Sequence, residues 1–141
     1  MWATALAAVV QPPEIIFLEG PLGAGKTTFF RYFLKALGFT GYAKSPSFTL
    51  IETYVVPFCT VVHIDLYRLN QANELEALGL SDYLEEEVIL VVEWADRVQN
   101  QLLKPTLLCN IKIPTDGMGR SLEMQLSSLA RPALRTWFEN I

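Results

Sequence analysis

Apolar and polar positions along the chain change period several times, and each change marks an element. Residues 3–10, ATALAAVV, read as a short apolar helix that Pro12-Pro13 closes. Glu14 to Leu18 reads as a short buried strand. Phe29, Phe30, Phe33, Leu34 and Leu37 then recur at helical spacing, with Gly38 as the stop. Phe48–Val55 and Thr60–Leu66 read as two strands, and the short link through Pro57-Phe58 predicts an antiparallel hairpin. Asn70 is the expected cap of a helix running to Leu78 and ending at Gly79, and Ser81 the cap of a second through Glu87. Val88 to Val92, VILVV, is apolar without interruption, as a central strand buried on both faces would be. Thr106–Ile113 and Ser121–Ser127 follow as strands around a turn at residues 115–119. Pro132 opens a closing helix with Leu134, Trp137 and Phe138. The pattern predicts one α/β domain over residues 1–141, with a mixed parallel and antiparallel sheet flanked by helices.

Between the first strand and the helix that follows it lies Gly20-Pro21-Leu22-Gly23-Ala24-Gly25-Lys26-Thr27, a full match to G-x-x-x-x-G-K-[ST]. Glycines let the backbone curl round a polyphosphate with its N–H groups turned inward. A helix starting at the end of the loop aims its positive dipole end at the same anion. Lys26 is expected to reach the β- and γ-phosphates and the Thr27 hydroxyl to ligate Mg²⁺. Strand, glycine loop and helix together are the context this motif needs, so the domain is expected to be of the P-loop NTPase type.

Composition narrows the function classes. Hydrophobic residues make up 51% of the chain, which fits a well-buried sheet rather than a disordered chain. No apolar run approaches the roughly 20 residues that cross a bilayer. The N-terminal MWATALAAVV lacks the basic start of a secretory signal. The expectation is a cytoplasmic protein without a membrane role. Cys59 and Cys109 are isolated in apolar sequence and read as two buried free thiols. A net charge of −4 argues against a general nucleic-acid binder, though not against action on RNA through a partner.

A triphosphate site needs a second anchor for the metal and a group that orients the attacking atom. Glu93 directly follows VILVV, at the strand end where a carboxylate would face Mg²⁺. Asp65 ends VVHID in the same way, and period-two alternation puts Val61, His63 and Asp65 on one face. His63, the only histidine, could bond a neighbouring carboxylate or fill the polar face of the hairpin. Ser45-Pro46-Ser47-Phe48-Thr49 could be a switch segment or a Ser-Pro turn entering a strand. Trp94 reads as core or as a neighbour of the site, and Glu85-Glu86-Glu87 as a solvated helix end.

Taken together, GPLGAGKTT, SPSFTLIETY, HIDLYRL, ELEALGLSDYL and VVEWAD resemble the TsaE family (also called YjeE) over roughly residues 3–125. The phosphate loop is generic; the other blocks make the likeness specific. The resemblance implies an ATPase in the machinery that makes threonylcarbamoyladenosine in tRNA. It implies that Leu22, Gly23, Ala24, Gly25, Lys26, Thr27 and Thr28 bind ATP, with Lys26 on the phosphates. Thr27 and Glu93 would hold Mg²⁺, Asp65 would be the carboxylate needed for hydrolysis, and Arg120 would contact the nucleotide. Residues 45–49 would be the switch-like segment, with Trp94 beside the site. The implied partner is a TsaB–TsaD heterodimer that itself modifies tRNA and is turned over by ATP binding and hydrolysis. Relative to the family, the chain begins inside the first helix, so the family's initial strand and its turn near the adenine are expected to be missing. That bears on base selectivity, and an exposed strand edge would invite association.

Two other functions fit a triphosphate loop. A small-molecule kinase would need an acceptor pocket and clamping arginines; Arg31, Arg68, Arg97, Arg120, Arg131 and Arg135 are scattered, with no Arg-rich lid. A non-hydrolysing nucleotide-dependent binding module would not need Asp65 and Glu93.

Overall fold

Every position of the VILVV stretch is buried, because its strand lies inside a sheet covered on both faces. This computed structural model describes residues 2–44, 46, 50–69, 73–84, 87–97 and 103–141. In chain order they form α1 (Trp2–Ala7), β1 (Glu14–Glu19), α2 (Lys26–Ala36), β2 (Ile51–Val56) and β3 (Cys59–Asp65). Then come α3 (Asn73–Ala77), α4 (Leu80–Leu84), β4 (Val88–Glu93), β5 (Leu107–Lys112), β6 (Ser121–Leu126) and α5 (Pro132–Glu139). A single 3₁₀ turn, Ala95–Arg97, follows β4.

The sheet runs β2-β3-β4-β1-β5-β6. The four inner strands are parallel and the two edge strands antiparallel, giving the expected mixed sheet. The predicted hairpin is β2–β3, closing with Val56 opposite Cys59 across Pro57-Phe58. One core fills the face under α1, α2 and α5, with Leu6, Ile16, Leu18, Phe30, Phe33, Ile89 and Leu134. A second fills the other face with Val62, Ile64, Leu80, Leu90, Val92 and Leu103. Alternation therefore sends Val61, His63 and Asp65 of β3, and Ile89, Val91 and Glu93 of β4, toward α2.

Strand β1 sits between β4 and β5, so the chain leaves its carboxyl end where the connections on either side diverge, the crevice in which open α/β sheets hold ligands. The loop from Gly20 to Gly25 fills that position.

Some boundaries differ from the sequence expectation. Ser81 is inside α4 rather than its cap. The chain turns at Gly79, the Asp82 N–H donates to the Gly79 carbonyl (3.1 Å), and fully buried Leu80 starts the helix on the sheet. Strand β2 begins at Ile51, after Leu50 in a left-handed conformation (φ 68°). Phe48, Thr49, Asn70, Glu85 and Glu86 lie outside the described residues. Among those described, no helix is long and apolar enough to cross a membrane.

Both cysteines are free, Cys109 buried and Cys59 half-buried. Burial pushes the Cys109 thiol up to about 12 and raises that of Cys59 as well. Little thiolate forms near neutral pH, so the native chain should react slowly with Ellman's reagent and release two thiols on unfolding. Two fast thiols in the folded protein would contradict this packing.

Candidate functional site

The loop owes its path to two glycines. Gly20 has φ +147°, and a Cβ there would lie 2.6 Å from the Ile111 carbonyl oxygen of β5. Gly25 is the N-cap of α2 at φ +105°, a left-handed conformation that costs a Cβ-bearing residue free energy, and it leaves the helix start without a side-chain cap. The N–H groups of the first turn of α2 thus face the crevice with no capping oxygen in front of them. Gly20→Ala should destabilise the fold by about 2–3 kcal/mol through clash and strain. Thermal denaturation would register this, and an unchanged melting temperature would contradict the close approach to β5.

Lys26, the first residue of α2, is 7% exposed. Its Nζ donates back to the carbonyl of Gly20, lies 3.4 Å from that of Pro21, and sits 4.1 Å from the centroid of the Trp94 ring. Trp94 follows β4 at φ 58°, an uncommon conformation for a bulky residue, and packs on Tyr67 with ring centroids 5.0 Å apart. That turn is what lays the indole under the lysine.

Asp65 and Glu93 are register partners at the carboxyl ends of adjacent parallel strands. Glu93 is buried, and its Oε2 is 2.6 Å from His63 Nε2. Asp65 is half-buried and accepts the Tyr67 N–H at 2.9 Å. Burial raises the Asp65 pKa and the Glu93 charge adds to it, against the Tyr67 hydrogen bond and the attraction of His63 and Lys26. Burial lowers the pKa of Lys26, although Glu93, Asp65 and Asp96 pull the other way. Cation and carboxylate are thus each displaced toward the neutral form, the mark of charges held out of water without full compensation.

Sequence reasoning did not single out Glu19 and Asp96. They line a cavity of about 180 Å³ with Gly20, Pro21, Trp94 and Asn110, and burial with the Asp96 charge raises the Glu19 pKa. Glu19 was marked only by its place at the end of β1. Leu22, Thr27 and Thr28 are exposed on the loop and first helical turn. Arg120 is braced on the loop from outside, donating to the Ala24 carbonyl (3.1 Å) and the Gly23 carbonyl (3.3 Å). With Trp2, Gly25, Thr28, Phe29, Tyr32 and Leu122 it lines an apolar cleft of about 450 Å³ beside the loop. Of the segment 45–49 only Pro46 is among the described residues. Among the described residues, no three His, Cys, Asp or Glu side chains converge as a ready-made metal cage.

A family model described as threonylcarbamoyl adenosine biosynthesis protein TsaE matches residues 1–122. The chain belongs to the TsaE family. It is 39% identical to the TsaE of Haemophilus influenzae over 110 residues, 78% of this chain and 68% of the relative. It is 36% identical to that of Bacillus subtilis over 137 residues, 92% of this chain and 85% of the relative. Among solved structures, the crystal structure of Bacillus subtilis YdiB superposes with a TM-score of 0.75 at 29% identity, covering 98% of this chain and 85% of that one.

Proposed function

We propose that this TsaE-family chain is a cytoplasmic P-loop ATPase. It binds and hydrolyses ATP with Mg²⁺ and so drives repeated turnover of a TsaB–TsaD pair in forming N6-threonylcarbamoyladenosine in tRNA, meeting tRNA only through that complex. One observation carries the reading: a G-x-x-x-x-G-K-T loop, a buried lysine and two strand-end carboxylates meet at the carboxyl ends of the inner strands.

The Gly23–Thr28 amides and Lys26 would bind the β- and γ-phosphates, with the helix start of α2 adding its dipole. The apolar cleft holding Trp2, Phe29 and Tyr32 has the volume and lining for the base, and Arg120 holds the loop that separates the two. Mg²⁺ prefers one or two carboxylates plus phosphate oxygens and water over a closed protein cage, and Thr27 with Glu93 fits that demand. When bound it would supply positive charge against the phosphate oxygens. Asp65, beside Glu93, would orient the attacking water, while Lys26 and the loop amides stabilise the charge that develops.

The test is tRNA modification by the purified TsaB–TsaD pair over many turnovers. Adding the chain with ATP should allow repeated turnover, and a non-hydrolysable ATP analogue should not. Repeated turnover without the chain, or with the analogue, would contradict the proposal.

A further inference from the structure

His63 is 1% exposed, and its Nδ1 has no hydrogen-bond partner among the described residues. Its ring stacks on Phe30 of α2, centroids 3.8 Å apart and 26° between planes, and its Nε2 lies 2.6 Å from Glu93 Oε2. A fully buried site chosen for packing alone would favour an apolar ring, because an orphaned nitrogen is a net cost there. With Nδ1 facing no acceptor among the described residues, Nε2, the nitrogen facing the carboxylate, is the one placed to donate. Phe30 fixes the plane of the imidazole and Glu93 receives its N–H.

We propose that His63 is the positioning residue for Glu93: its Nε2–H holds one carboxylate oxygen and leaves the other directed at the site, at an angle set by Phe30 of the phosphate-loop helix. Phe30 also packs on Tyr54 (5.8 Å), whose hydroxyl donates to the Lys44 carbonyl at 2.9 Å. The carboxylate is thereby tied through one buried aromatic row to the chain that enters residues 45–49. The inference rests on the proposed role of Glu93 toward Mg²⁺.

The experiment is a Mg²⁺ titration of nucleotide binding by the full chain, read from its intrinsic tryptophan fluorescence at fixed ADP, with binding in EDTA and melting temperature measured alongside. Removing a group that orients a metal ligand weakens metal affinity by about 10- to 100-fold. His63→Leu should therefore move the Mg²⁺ midpoint up at least tenfold while ADP binding in EDTA stays within twofold. His63→Gln, whose amide nitrogen can reach Glu93, should return the midpoint to within about threefold of wild type. His63→Asn is too short to reach and should behave like leucine, which keeps the comparison open if the leucine variant fails to fold. A folded leucine or asparagine variant with the wild-type midpoint would overturn the role of His63. So would equal losses in the glutamine and asparagine variants that track only their melting temperatures. If wild-type ADP binding did not respond to Mg²⁺ at all, the metal role of Glu93 would fall first, and this inference with it.

Discussion

Replacing Lys26 with alanine should reduce ATP affinity by at least about two to three orders of magnitude. Each hydrogen bond to a charged group contributes about 1.5–3 kcal/mol, and an ammonium facing two phosphates makes at least two. The site is built to leave that ammonium available. Its present partners are the Gly20 and Pro21 carbonyls and the Trp94 ring, which hold it without neutralising it. Burial already lowers its pKa, and a polyanion would restore the charged form. Titration calorimetry of the variant measures the loss directly, with circular dichroism reporting that the fold is retained. Affinity within threefold of wild type would mean that Lys26 is not the phosphate ligand.

Asp65→Asn is expected to cut hydrolysis by about 10²-fold or more while ATP binding stays within a few-fold. The asparagine carbonyl can still accept the Tyr67 N–H, so the turn after β3 survives. Stability should move the other way. Burial and Glu93 raise the Asp65 pKa in the folded chain, so the wild-type carboxyl binds its proton more tightly folded than unfolded. Its contribution to stability is fully present below the ordinary carboxylate range and is lost as pH rises through the elevated folded value. At neutral pH the charged group therefore works against folding, and the variant should melt a few degrees higher. Near pH 4 and below that advantage should shrink, because the wild-type group is then protonated too. Melting curves between pH 4 and pH 8 follow the difference; a variant less stable at pH 8 would contradict the electrostatics of the site.

These two residues also show how much of the site is legible in the sequence. Asp65 and Glu93 were legible because each ends an apolar run, and a run of strand length delivers its last residue to one end of the sheet. Lys26 was legible because the spacing of the loop encodes backbone shape. The central strand could be recognised from VILVV, since only burial on both faces removes alternation altogether. What escaped depends on contacts far apart in sequence. The bond from His63 to Glu93 spans 30 residues and two strands, and period-two alternation, which named both a polar face and a carboxylate partner, favoured the structural filling of the hairpin face. The brace from Arg120 to Ala24 spans 96 residues and depends on β6 lying beside β5, an order that local pattern does not encode. Pattern and structure differ at Ser81 because serine is a good cap in isolation, whereas burial of Leu80 decides where this helix begins.

The proposed function requires that this chain hydrolyse ATP at the loop between β1 and α2. Phosphate release from ATP by the purified chain, with and without Mg²⁺ and beside Lys26→Ala, tests it most directly. Mg²⁺-dependent release that the alanine variant loses is the expected result. Release that survives the loss of Lys26, or ATP bound with no release even when a TsaB–TsaD pair is added, would contradict it.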